Sequence, residues 1–245
     1  MIILFAPSEG KRQGGSLSPV NSETLLFPEL YSKRLDVMEQ YQTLIAEGSN
    51  ESLAELFGIK ESKEFERYKT PFEKAPTMKA VERYDGVAYD YLNYTTLPAE
   101  AQHYIEDKVI IFSNLFGPIR AGDPIPDYKL KQGSAIGSFA PEKFYKEHFS
   151  AALDEKIGDQ EVLDIRAGFY DKFFVPKIKT TTLKFLKEGK VVSHWAKAYR
   201  GSVLRQAALH RVESLQELLA LEIEGLILNE IIETKKTKEI IYTIV

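Results

Sequence analysis

Apolar and polar positions alternate in blocks along the chain, and the blocks change period. MIILFAP at the start is a short apolar run closed by Pro7, the pattern of a buried first strand. SEGKRQGGSLSP then reads as a loop. Over 28–47 the period becomes helical, with Leu30, Leu35, Met38, Tyr41, Leu44 and Ile45 on one broad face, Pro28 in the first turn and Gly48 as a stop. In NESLAELFGIKESKEFERYKT, Asn50 suits a helix start and Gly58 a helix end, and a second short helix opens near Glu61, giving a helix–turn–helix pair. Pro71 and Pro76 punctuate a linker, 76–83 has a helical pattern again, and a further helix is expected over 98–107.

VIIFSN is continuously apolar, as expected of a strand buried on both faces. The following GPIRAGDPIPDYKLKQG reads as a stiff, Pro-rich turn. PEKFYKEHFSAALDEKI, 141–157, is a helix with Pro141 in its first turn. EVLDIRAGFY starts as a strand and turns at Gly168, and KVVSHWAKAYRGSVLRQAALHRV is a strand that becomes helical near Trp195. The tail EGLILNEIIETKKTKEIIYTIV reads as a hairpin with a Lys-rich turn. Alternating strands and helices followed by an antiparallel end predict one mixed α/β domain over 1–245, with a mixed central sheet flanked by helices.

The bulk numbers narrow the function classes. With 44% hydrophobic residues in 245, the chain can bury a sizeable core. The absence of cysteine removes disulfides, thiolate nucleophiles and zinc–thiolate sites, and fits a reducing cytoplasm. The N-terminus lacks the basic region and long apolar core of a signal peptide, and no apolar run has the length of a membrane span. A net charge of −4 does not announce a nucleic-acid binder, so a phosphate site must be a local patch among the 32 lysines and arginines.

Such a patch is expected where strands end. Four apolar segments run straight into polar, Gly-containing turns: ILFAP into Ser8-Glu9-Gly10-Lys11-Arg12, VIIFSN into Gly117-Pro118-Ile119-Arg120, VLDI into Arg166-Ala167-Gly168, and VVSHWA into Lys197-Ala198-Tyr199-Arg200-Gly201. Ligands of open α/β sheets bind at the carboxyl ends of strands. If the four strands are similarly directed neighbours, Lys11, Arg12, Arg120, Arg166, Lys197 and Arg200 converge, with Asp123, Asp127 and Asp164 close by. Individually, each arginine is as well explained by solvation or a local carboxylate. On a helix after Trp195, Lys197, Arg200 and Arg205 spread over a broad basic face; Gly201 can instead end a turn there.

ELFGIKES could form a helix–hairpin–helix, in which amides around Gly58 approach a DNA phosphate while Lys60 and Lys63 assist, but an ordinary αα-hairpin is the simpler reading, and Glu51, Glu55, Glu61, Glu64 and Glu66 around it are poor electrostatics for DNA. His103, His148, His194 and His210 have no ligand-like spacing, so no metal and no cofactor is expected; His194 faces either the site or the core. Gly10-Lys11 lacks the first glycine of a Walker loop, and no nucleophile–base–acid set can be read from spacing. The tyrosines from Tyr84 to Tyr94 serve the core and rim, or stack bases.

Taken together, MIILFAPSEGK, RYDGVAYDYL, FSNLFGPIRAGDPIPDYKLKQG, DIRAGFYDKFF and SHWAKAYRGSVLRQAAL resemble the YaaA family of bacterial peroxide-stress proteins, in order and over nearly the whole chain. The resemblance implies an α/β domain with an unusual mixed sheet, a positively charged cleft, a helix–hairpin–helix and binding to DNA. It also implies a role in surviving hydrogen peroxide, linked to iron homeostasis through lower free iron and less iron-driven DNA damage. By position, the family's polar residues fall on Ser8, Lys11, Asp85, Gly86, Ser113, Gly117, Arg120, Asp123, Tyr128, Lys129, Lys172, Lys197, Arg200 and Gly201, and its hairpin on Leu56 to Lys63. Lys129 stands where relatives carry arginine, which keeps the charge without the bidentate fork.

The expectation is therefore a cytoplasmic protein that grips double-stranded DNA by its phosphates with little sequence readout, through Lys11, Arg120, Lys129, Arg166, Lys197, Arg200 and Arg205, with Asp123, Tyr128 and Gly201 shaping the cleft. The competing expectation is an enzyme acting on a nucleotide or another small phosphorylated ligand in the same cleft. The oligomeric state is not legible.

Overall fold

Apolar runs too short for helices form the centre of the molecule. The computed structural model describes residues 1–245, apart from the side chains of Ser193 and His194, so the expectation for His194 lies outside the described residues. The strands, in chain order, are β1 (Ile2–Phe5), β2 (Gly10–Lys11), β3 (Thr77–Lys79), β4 (Tyr84–Asp85), β5 (Val109–Ser113), β6 (Gly117–Arg120), β7 (Pro124–Pro126), β8 (Val162–Asp164), β9 (Thr180–Lys187), β10 (Lys190–Val191), β11 (Leu226–Glu233) and β12 (Thr237–Ile244). The helices are α1 (Tyr31–Glu47), α2 (Asn50–Phe57), α3 (Ala80–Arg83), α4 (Val87–Leu92), α5 (Ala99–Lys108), α6 (Pro141–Ile157), α7 (Ser193–Leu209) and α8 (Leu215–Leu219).

The main sheet has the order β11-β12-β9-β8-β1-β5-β6, with β10 paired to β9. β12, β9, β8, β1 and β5 run parallel, and β11 and β6 close the two edges antiparallel. Every residue of β1 and β5 is buried, because helices cover both faces of this parallel region. Ile3 stands level with Val109 on one side and Leu163 on the other, so β1, β5 and β8 end together at one edge of the sheet. The mixed α/β fold expected from the alternating pattern is the one observed.

Local predictions hold where sequence chemistry is local. α6 spans 141–157 as expected, with Pro141 at its first position. α5 covers 99–108 against an expected 98–107. The tail hairpin forms, with Lys235 and Lys236 in its turn.

Three readings are corrected. Residues 76–83 divide into β3 and the one-turn α3, because Thr77–Lys79 pairs with the distant β7. VVSHWA contributes only the two-residue β10, and the helical pattern already starts at Ser193, so no fourth strand feeds the polar edge. Gly117–Arg120 is not a turn but strand β6, and the eight-residue β9 in KIKTTTLKFLKEGK had no counterpart in the reading.

Candidate functional site

β1, β5 and β8 do bring their carboxyl ends together, and a cavity of about 450 Å³ opens there. Phe5, Ala6, Pro7, Ser8 and Glu9 form one wall as β1 leaves the sheet. Ile165 and Ala167 after β8, Tyr170, and Gly86–Tyr89 at the start of α4 form others. Lys197 and Arg200 reach in from the first two turns of α7, and Gln132 from the loop that follows β7.

Arg200 gives this cavity its chemistry. Its Nε is buried and has no hydrogen-bond partner among the described residues. Burial lowers its pKa, and the carboxylate of Asp164 opposes that shift. A buried, unsatisfied guanidinium N–H costs on the order of 1–3 kcal/mol, more when charged, unless something accepts from it. An anionic oxygen in the cavity would do so. Lys197, exposed at the mouth, adds a second positive charge.

Lys11 lies beneath the Ser8–Glu9 wall. Its amine donates to the carbonyls of Ser8 (3.2 Å) and Glu9 (3.4 Å) and sits 4.2 Å from the centre of the Tyr128 ring and 5.3 Å from that of Tyr84. Burial is the main reason that its pKa falls to about 7, helped by the charge of Lys129. Lys129 Nζ donates to the Glu9 carbonyl (3.3 Å) from the other side. Below lies a buried hydroxyl chain. Ser113 Oγ accepts from the amides of Leu115 (3.2 Å) and Phe116 (3.0 Å), which leaves its proton for Tyr128 Oη (2.9 Å). Tyr128 in turn bonds Tyr84 Oη (2.8 Å). Burial raises the pKa of both phenols, so both stay protonated.

Of the residues expected to converge, the fold gathers Lys11, Lys129, Lys197 and Arg200 around this edge. Arg120 and Asp123 are elsewhere. Because β6 runs antiparallel to β5, Arg120 pairs with Ile110 near the amino end of β5, across the sheet from the cavity. Asp123 is buried and tied down there. It accepts from Arg120 Nε (2.7 Å), the Arg120 amide (3.0 Å) and the Leu26 amide (2.7 Å), which fixes a loop. Desolvation raises its pKa despite the neighbouring Arg120.

Arg166 lies next to the cavity but is committed to the fold. Its guanidinium bonds Asp164 (2.6 and 2.9 Å) and the carbonyls of Tyr170 and Phe174 (both 3.1 Å), over the Phe112 ring. Arg205 donates to the carbonyls of Leu92 (2.9 Å) and Asn93 (3.0 Å), closing the end of α4. Gly201 lies inside α7, where an added Cβ would overlap the Ala88 carbonyl, so its role is the close approach of α4 and α7. Tyr128 is a buried member of the hydroxyl chain.

The α2 segment ends at Gly58 in the left-handed conformation (φ 67°), and a 3-10 helix follows over Ser62–Tyr68. The Gly58 amide is spent on the Ala54 carbonyl (2.9 Å), the Lys131 stem lies against its α-carbon, and Lys131 donates its amide to Leu56 (2.9 Å). Lys60 and Lys63 are exposed, and Lys63 pairs with Glu61 (2.6 Å). Lys131, which packs on this turn, is the chain neighbour of Gln132 at the cavity wall.

Gln132, Tyr170 and Tyr89 were missed as cavity residues. Gln132 belonged to the Pro-rich loop already singled out, but no spacing signals that β7 carries this loop back across the sheet. Among the described residues, no helix is long and apolar enough to cross a membrane.

Comparison with known proteins gives a consistent result. The family model for peroxide stress protein YaaA matches residues 1–231. An uncharacterized protein of Campylobacter jejuni is 49% identical over 239 residues, 98% of this chain and 97% of that one. A UPF0246 protein of Corynebacterium glutamicum is 34% identical, covering 87% of each chain, and one of Streptomyces coelicolor is 33% identical, covering 84% of this chain and 82% of its own. The chain belongs to the peroxide stress protein YaaA family.

Proposed function

We propose that this protein is a DNA-binding member of the peroxide-stress response that limits iron-driven damage, holding the phosphate backbone at the carboxyl edge of its sheet. The observation that supports this reading is the buried Arg200 Nε beside Lys197, which has no partner among the described residues and would find one in an anionic oxygen, on a chain whose net charge is −4. Phosphate contacts of this kind confer affinity without sequence readout. Lys60 is exposed beside the Gly58 turn on which Lys131 packs, while Lys63 is paired with Glu61.

Fluorescence anisotropy of a short labelled duplex, titrated at several salt concentrations, tests it. The Lys197→Ala/Arg200→Ala protein should lose affinity on every duplex and reduce the salt slope by roughly two, one for each phosphate contact removed. Unchanged affinity and slope would remove the cavity from the DNA-binding surface.

A second reading is supported by the size of the cavity. A pocket of about 450 Å³ suits one small phosphorylated molecule better than a continuous duplex. A nucleotide that raises Tm selectively and saturates at micromolar concentration would favour that ligand over DNA.

A further inference from the structure

β11 ends the main sheet, and its eight residues carry exposed apolar side chains on both faces. Ile227, Leu228, Ile231 and Ile232 are all exposed, and the outward backbone groups of an edge strand have no ladder partner among the described residues. These four residues are placed symmetrically about Asn229 and Glu230. A β-bulge falls at that point: Leu228 is level with Tyr242 of β12, and Glu230 already with Ile241. In an unbulged strand Leu228 and Ile231, three apart, would point to opposite faces, as would Ile227 and Ile232, five apart. The extra residue brings each pair onto one face. Leu228 and Ile231 are level with Tyr242 and Ile240, two apart on β12, and Ile227 and Ile232 with Thr243 and Glu239, four apart.

We propose that β11 pairs antiparallel with β11 of a second copy of this chain, about a two-fold axis perpendicular to the sheet between Asn229 and Glu230. This register sets Ile227 against the second copy's Ile232 and Leu228 against its Ile231, each pair on a shared face, where cross-strand side chains touch. Asn229 meets the second copy's Glu230, so no two β11 carboxylates stand directly opposite, and Glu233 is already bonded to Lys179 of its own chain. Past the strand the charges match as well. In the same register Glu224 comes level with Lys235 in the second copy's turn, with Glu222 and Lys236 beside them, and all four are exposed. Glu222 and Glu224 line a groove of about 570 Å³ that continues along Leu226, Ile227 and Leu228, open to that lysine-rich turn. The two-fold axis makes each of these contacts twice. A strand of another protein would meet the apolar row without this matched set, which is why the occupant is a second copy. The axis also reverses strand direction, so the two copies' cavities fall on opposite edges of one continuous sheet. None of this depends on what the cavity holds.

Sedimentation equilibrium of the full chain over a concentration series should give a mass of twice 27.9 kDa. Ile232→Lys, at an exposed position, should leave the far-UV circular dichroism unchanged and raise the dimer dissociation constant at least about tenfold, because symmetry repeats the lost pair. Lys235→Glu/Lys236→Glu should dissociate too, and mixing it with Glu222→Lys/Glu224→Lys should restore association as a mixed dimer. A mass of 27.9 kDa at every concentration overturns the inference and leaves the edge to a strand of another protein.

The chain has no cysteine, so introduced ones report the register without background. Ile227→Cys mixed with Ile232→Cys should form a disulfide-linked pair under mild oxidation. Neither should do so alone, since the same position in the two copies lies roughly 15 Å apart along the ladder, beyond disulfide reach. A dimer that cross-links as well from one variant alone, or not at all from the mixture, has its interface elsewhere and also overturns the inference.

Discussion

Arg34 illustrates how a single side chain can decide a region of this fold. It is fully buried on α1 with no salt-bridging carboxylate among the described residues, and it donates to the carbonyls of Phe116 (3.0 Å), Phe27 (3.3 Å) and Pro118 (2.7 Å) over the Phe149 ring. Desolvation lowers its pKa to about 10, which still leaves it charged at neutral pH. Arg34→Ala strands the carbonyls of Phe27, Phe116 and Pro118 and leaves a void, so urea denaturation should show a loss on the order of 3 kcal/mol or more. Arg34→Lys should recover little, since one ammonium cannot reproduce the geometry of a planar fork. The helical pattern over 28–47 was read from its apolar residues. It placed Leu35 on the buried face, whereas Leu35 is half-buried and Arg34 takes the interior place. Residue type alone cannot announce a buried arginine, because what permits it is a set of carbonyls distant in sequence.

At the scale of elements, α4 and α7 fix the distance between the two sides of the cavity. Their contact depends on Gly201, whose Cα faces the Ala88 carbonyl and the Leu92 amide. Alanine has the better helix propensity by about 1 kcal/mol, yet its methyl would overlap the Ala88 backbone. Overlap in a packed interface typically costs 1–3 kcal/mol and should prevail. Gly201→Ala is therefore expected to lower the denaturation midpoint and, by displacing α7, to weaken any anion held by Lys197 and Arg200. A Tm at or above that of the unmodified protein would mean that the two helices can part without cost. A helix after Trp195 was legible from the period, while Gly201 looked like a turn residue. Only the partner helix explains a glycine there.

At the scale of the molecule, the sheet sorts the basic residues between its two ends. Lys11, Lys129, Lys197 and Arg200 lie at the carboxyl end of β1 and its neighbours, and Arg120 with Asp123 at the other. Arg120→Ala should consequently leave duplex affinity and its salt slope within error of the unmodified protein. Its effect should be a modest fall in stability as Asp123 loses a partner in the buried loop. A drop in DNA affinity matching that of the Lys197/Arg200 variant would place the binding surface across both ends. The strand order, β12-β9-β8-β1-β5 parallel between antiparallel edges, makes this separation.

The amino-acid sequence by itself determined the α/β class, the helices over 141–157 and near 99–108, the hairpin at the tail, and the approach of β1 and β8 to polar turns. These follow from periodicity, proline positions and short apolar runs, which act between residues close in the chain. The motifs that carry the family resemblance were equally legible, since they are contiguous. Tertiary structure alone decided which cations share a site. The direction of β6 reverses the meaning of Arg120, and Asp164 and two carbonyls absorb Arg166. The return of the 121–133 loop brings Lys129 and Gln132 back to β1, and burial, with the charge of Lys129, lowers the pKa of Lys11. Each depends on strand direction or on contacts between residues far apart in sequence, and neither quantity has a local signature.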